Sequence, residues 1–172
     1  MKKVFSALKD NGYVIIEDAV PPELINMGHK ALNSLFSMPY EEKALYKHDK
    51  PTEPGFTPYG EAKALDTGIP NLLEAWDISS TVPVKWPKEM IQEWETLVKF
   101  ESYIYQTGLK LLTQLEDELN LSEGTFTKLI HRYSGGIHFL HYPTNLVSNG
   151  TGARRQSLHA DMTLITLNPP AT

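Results

Sequence analysis

The chain has 172 residues, 41% of them hydrophobic and 22% charged, and carries a net charge of −5. This is the composition of one folded domain, and the negative balance with no basic stripe excludes a general affinity for nucleic acid, whose phosphates are bound by clustered Lys and Arg. There is no cysteine, so disulfides, zinc-thiolate sites and cysteine nucleophiles are excluded.

In chain order, Tyr13-Val14-Ile15-Ile16 is an apolar, β-branched run introduced by Asn11-Gly12 and predicts a buried strand. Pro21-Pro22 opens a helix, because a first turn lacks amide partners anyway. Leu24, Met27, Ala31, Leu35 and Met38 recur along it at helical spacing, Pro39 ends it, and Tyr40 to Lys47 predicts one more helical piece. His48 to Pro70 contains four prolines and three glycines, the mark of an irregular segment. Leu73 to Ile78 predicts another strand. Trp86-Pro87 starts the longest helix, with Ile91, Trp94, Val98, Tyr105, Leu109, Leu112, Leu115 and Leu119 on one face as far as Asn120. Ser122 is a candidate cap for a short helix reaching Ile130.

The pattern then changes. Gly135-Gly136 leads into a strand from Ile137 to Tyr142, stopped by Pro143, and a loop containing Asn149-Gly150-Thr151-Gly152 follows. Leu158 to Leu167 roughly alternates apolar and polar residues and predicts a further strand. The expected fold class is α+β: a helix-rich region over 1–130 packed on the opening strands of a β-barrel or jelly roll over 131–172.

The candidate chemistry lies in His159-Ala160-Asp161. Side chains two apart on a strand share a face, so an imidazole and a carboxylate placed there can hold one divalent ion. A third donor from elsewhere would complete the facial triad of two histidines and one carboxylate, the site of non-haem iron(II) oxygenases. The bland reading of such a pair is two solvated side chains. His138 and His141 are three apart, point to opposite faces of their strand and cannot chelate together. His29 and His48 read as surface residues, and His131 beside Arg132 has no carboxylate near it in sequence. Arg154 and Arg155 are positioned to meet an anion, although solvated loop arginines are the plainer reading.

Five segments in order resemble the isopenicillin N synthase-like family of iron(II)- and 2-oxoglutarate-dependent oxygenases. They are Asn11 to Ile16, the Leu35-Phe36-Ser37-Met38-Pro39-Tyr40-Glu41-Glu42-Lys43 stretch, Gly55-Phe56-Thr57-Pro58-Tyr59-Gly60, His141-Tyr142-Pro143, and His159-Ala160-Asp161 followed by Thr163-Leu164. The resemblance implies a double-stranded β-helix (jelly-roll) core, His159 and Asp161 as ligands of Fe(II), and 2-oxoglutarate as co-substrate. Tyr142 falls where family members often hydrogen-bond the co-substrate carboxylate; a half-buried barrel tyrosine is the equal alternative. The implied activity is oxidation of a small molecule by O₂, giving hydroxylation, desaturation or cyclisation. A branch of the family oxidises its substrate without 2-oxoglutarate.

One departure stands out. The distal histidine of the family, and the arginine and serine that grip the far carboxylate of 2-oxoglutarate, have no counterpart before the chain stops at Thr172. The expectation is a truncation after the first metal-ligand strand, inactive by itself, or else a non-catalytic binding module. No apolar run approaches the ~18 residues of a membrane span, and the amino terminus lacks the apolar core of a signal peptide, so the expected location is cytoplasmic, with no membrane partner.

Overall fold

A computed structural model describes residues 4–50, 53–64, 66–79, 84–130, 136–144, 153–161 and 163–170. The expected loop at Asn149 to Gly152, together with His131, Arg132, Gly135 and Met162, lies outside the described residues. The elements are α1 (Val4–Asn11), α2 (Pro22–Phe36), α3 (Tyr40–Ala44), β1 (Gly55–Thr57), β2 (Glu74–Ile78), α4 (Ile91–Glu118) and β3 (Ile137–His141). A single 3-10 turn, Lys88–Met90, leads into α4. The result is a mixed α and β fold: helices packed against a small antiparallel sheet in the order β1-β2-β3.

α2 forms as its periodicity predicts. It starts with Pro22 in the first turn, where a missing amide costs nothing, and buries Leu24, Gly28, Ala31 and Leu35. It packs along α4. The main core gathers Leu24, Ala31 and Leu35 from α2, Phe56 from β1, Trp76 and Ile78 from β2, Leu97 and Phe100 from α4, and Phe139 from β3. Phe56 and Trp76 are cross-strand partners, with ring centroids 5.3 Å apart, in the range where aromatic pairs attract. A second cluster joins Val4 of α1 to Leu112 and Leu115 of α4, with Phe126 and Ile165 packed on it.

α1 was not foreseen. Its first two amides, of Val4 and Phe5, donate to the Glu118 carboxylate at 3.0 and 2.8 Å. That anion satisfies amides with no partner inside the helix and complements the positive end of its dipole. The donor–acceptor pair is more than a hundred residues apart in sequence, so no local pattern reports it.

Several expectations are corrected. Tyr13 to Ile16 forms no strand: Tyr13 and Ile15 are 64% and 79% exposed, and no neighbouring strand pairs with them among the described residues. A β-branched run becomes a strand only where a partner edge exists. The irregular stretch after His48 contains β1, too short to show periodicity. Its Gly55 has φ 149°, and a Cβ there would lie 2.9 Å from the backbone of Tyr46 and His48, so the close strand crossing requires glycine. The helical piece after Tyr40 ends at Ala44, short of Lys47. After α4, Asn120 adopts φ 53° and residues 123–129 form turns instead of a helix. There the Ser122 carbonyl accepts from the Thr125 amide and hydroxyl.

The expected strand over Leu158 to Leu167 is not formed either; residues 153–161 and 163–170 carry no strand. This segment is held by other means. Ile165 joins the second cluster. Leu167 reaches into a notch at Gly108 of α4, where an added Cβ would meet its Cδ1 at 3.4 Å. Farther on, the Pro170 carbonyl meets His29 Nε2 at 3.1 Å. Among the described residues, no helix is long and apolar enough to cross a membrane.

Candidate active site

His159 and Asp161 turn towards each other although they are not on a strand. His159 Nε2 lies 3.2 Å from Asp161 Oδ1, with the side chains 45% and 51% exposed. The other ends of both groups are held. His159 Nδ1 lies 2.9 Å from the Ser157 carbonyl, which can only accept, so Nδ1 carries the proton. In the neutral imidazole Nε2 then presents a lone pair, and the Gln156 Nε2 amide lies a long 3.4 Å from it. Asp161 Oδ2 accepts from the Thr166 hydroxyl at 2.7 Å, and that hydroxyl is itself 2.8 Å from Thr163 Oγ1.

This donor set fits a divalent metal. Bonds of about 2.1 Å at right angles put two donors about 3 Å apart, close to the observed separation. The tautomer is the one that metal-bound histidines hold through a carbonyl partner on the second ring nitrogen. The plain alternative is an exposed ion pair, which requires a protonated imidazole. Among the described residues, no group of three His, Cys, Asp or Glu gathers closely enough to hold a metal ion.

Tyr142, just past β3, is drawn into the same constellation. Its hydroxyl donates to Gln156 Oε1 at 2.8 Å, so Gln156 bridges Tyr142 to His159. Partial burial raises the Tyr142 hydroxyl pKa, against the opposing pull of the Arg155 charge. Arg154 and Arg155 are both exposed. Gln156, Ser157 and Thr166 were not singled out in the sequence: glutamine, serine and threonine in a polar loop carry no distinguishing pattern.

The neighbouring histidines of β3 take structural roles. Facing opposite sides as expected, each meets the carboxylate directly across the sheet. His141 Nδ1 is 2.8 Å from Glu74 Oε1, and His138 Nδ1 is 2.5 Å from Asp77 Oδ1. The Asp77 carboxylate raises the His138 pKa, outweighing the partial burial that lowers it. Glu74 also takes a bidentate pair of bonds from Lys43 Nζ at 2.9 and 2.7 Å, and Lys43 donates besides to the Phe36 carbonyl at 3.0 Å. The lysine of the Phe36-to-Lys43 stretch thus ties α3 to β2. His48 is not a plain surface residue; its Nδ1 is buried and without a partner among the described residues.

The fold is that of part of a 2OG-Fe(II) oxygenase. A 2OG-Fe(II) oxygenase family protein of Caulobacter crescentus superposes with a TM-score of 0.60 at 22% identity, over 72% of this chain and 44% of its own. A full-length Neurospora crassa protein in complex with alpha-KG gives 0.60 at 16% identity, over 72% and 42%. JOX2, in complex with 2OG, Fe and JA, gives 0.54 at 18% identity, over 67% and 35%. The chain therefore spans less than half the length of these solved structures. A search of curated protein sequences gives no match. The family model for the non-haem dioxygenase N-terminal region, described as that of the dioxygenases in morphine synthesis, matches residues 1–97. With more than half of its length matched, the chain belongs to the non-haem dioxygenase N-terminal family.

Proposed function

We propose that the protein is a non-haem iron(II)- and 2-oxoglutarate-dependent oxidoreductase that acts on a small molecule by hydroxylation, desaturation or cyclisation, with O₂ as oxidant. The observation that carries this reading is the convergence of His159 Nε2 and Asp161 Oδ1 at 3.2 Å, with the far atom of each fixed by a hydrogen bond. Iron(II) with 2-oxoglutarate, when bound, supplies the oxidation of an unactivated C–H bond by O₂.

The residues of this chain bind and orient. His159 and Asp161 are the two adjacent protein donors of a facial triad, and Thr166 turns the carboxylate so that one oxygen faces the imidazole. Tyr142, whose hydroxyl donates to Gln156 Oε1 in the free protein, turns that one proton to a carboxylate of the co-substrate on binding. In this reading 1–130 is the helix-rich region, 131–172 opens the catalytic core, and a jelly roll continues from β3 and the segment around His159.

The test, in a longer chain that supplies the third ligand, is succinate formation from 2-oxoglutarate in the presence of iron(II), with bound iron measured in parallel. His159→Ala or Asp161→Ala should abolish turnover and lower the iron content. Full activity after loss of His159 would show that the ligands lie elsewhere.

A further inference from the structure

We propose that Asn71 is a positioning residue for the His159–Asp161 pair, acting through Ser157; this rests on the ligand role proposed for His159. Asn71 is 9% exposed and lies on the turn that enters β2, where its own amide donates to the Ala62 carbonyl at 2.7 Å. Its Oδ1 accepts twice from Ser157, from the amide and from the hydroxyl, each at 3.0 Å. The next residue repeats the grip, since the Leu72 amide donates to the Arg154 carbonyl at 2.8 Å.

Two consecutive framework residues therefore pin the 154–157 segment at points three residues apart. The Ser157 carbonyl, in the same residue as this anchor, is the group that accepts the hydrogen bond of His159 Nδ1 at 2.9 Å. Immediately beyond it, Leu158 is 92% exposed, so packing does not hold the backbone there. The direction in which His159 presents Nε2 is thus inherited from β2 through Asn71. Asn71 is used purely as an acceptor towards Ser157, which any oxygen at that position could supply.

The experiment is long-range proton–nitrogen NMR of the full chain labelled at histidine nitrogens, at about pH 8, above the ordinary histidine pKa. The His159 signal is identified by its loss in His159→Gln. Unsubstituted protein should show the Nδ1–H form. Asn71→Leu should shift His159 towards a mixture with the Nε2–H form, and Asn71→Ser, whose oxygen falls short of Ser157, should do the same if the leucine variant folds poorly. Asn71→Asp should retain the Nδ1–H form. Cobalt(II) affinity, titrated by absorbance, should fall about tenfold in the first two variants and recover in the third, the low end of the loss seen for outer partners of metal ligands. An unchanged tautomer in Asn71→Leu and Asn71→Ser, or an Asn71→Asp that behaves like them, would overturn the proposal. A shifted tautomer together with unchanged cobalt affinity in His159→Gln would leave the positioning intact and remove the ligand role instead.

Discussion

Lys43 and Glu74 meet at 2.7 Å with 7% of each side chain exposed, whereas His159 and Asp161 meet at 3.2 Å with about half of each in solvent. The first pair lies inside the framework of helices and sheet; the second lies on a segment pinned to that framework at a few points. Two charges taken from water depend on each other, and removing one strands the other. Two exposed polar groups lose little when parted, even where both are charged. The buried pair is therefore a fastening of the fold, and the exposed pair is free to serve a third body without endangering the structure.

The comparison is broken most directly by Lys43→Met. Glu74 then keeps the half-exposed His141 as a partner, so the loss should approach without exceeding that of a fully broken buried pair, about 3–5 kcal/mol, read as a lower urea midpoint, while His159→Ala should stay within about 0.5 kcal/mol of the parent. Equal losses at the two sites would show that the segment around His159 is part of the cooperative core.

A smaller effect is expected at Glu116, which is buried at the end of α4. Its carboxylate accepts from the amides of Gly124, Phe126 and Thr127 at 2.9, 2.6 and 2.9 Å. The Thr127 amide above all, with those of Gly124 and Phe126, holds its pKa below the ordinary range, against the opposing effect of burial. The sign follows from linkage: the stabilisation is present above the unfolded carboxylate pKa of about 4.3 and is lost as pH falls through the lower folded value. Glu116→Gln should lower the melting temperature at neutral pH and flatten its acid limb. An acid limb of unchanged steepness would assign the loss to other carboxylates.

The smallest effect belongs to His138 and Asp77. The raised imidazole pKa contributes stability that is fully present below the unfolded value of about 6.5 and is lost as pH rises through the folded one. With the His138 side chain 53% exposed, the contribution should stay below about 1 kcal/mol. Asp77→Asn should erase this slope between weakly acidic and weakly alkaline pH, measured by urea midpoints. A slope that survives would place its origin elsewhere.

What the sequence displayed depended on the range of the forces involved. The span of α2 was legible because its burial repeats every three or four residues, and β2 and β3 because short apolar runs sit between turn residues. The length of α4 was legible but its inner face was not. The expected face shares only Leu112 and Leu115 with the buried set, which also holds Leu97, Phe100, Glu101, Gly108 and Glu116. A buried glycine and two buried glutamates escape any count of apolar residues; Glu116 is inside because three amides of the turns that follow α4 need its oxygens. At the candidate site, His159 and Asp161 were candidates by residue type and spacing, and Tyr142 by the family resemblance alone. Asn71 could not be named, because its contact with Ser157 spans 86 residues and an asparagine near a proline looks like any turn.

The notch at Gly108 ties the behaviour of α4 to the segment that crosses it. Glycine in a helix interior weakens it by about 1 kcal/mol relative to alanine, so the backbone near residue 108 is a weak point in the interior of this 28-residue helix. Leu167 and Ile165 cover that point at 3.4 and 3.9 Å from where a Cβ would stand, shielding its amides from water while they are seated. Hydrogen exchange in the middle of α4 should therefore slow when the His159 segment is seated and quicken when it lifts, so that a helix remote in sequence keeps a time-resolved record of how often the candidate site is assembled.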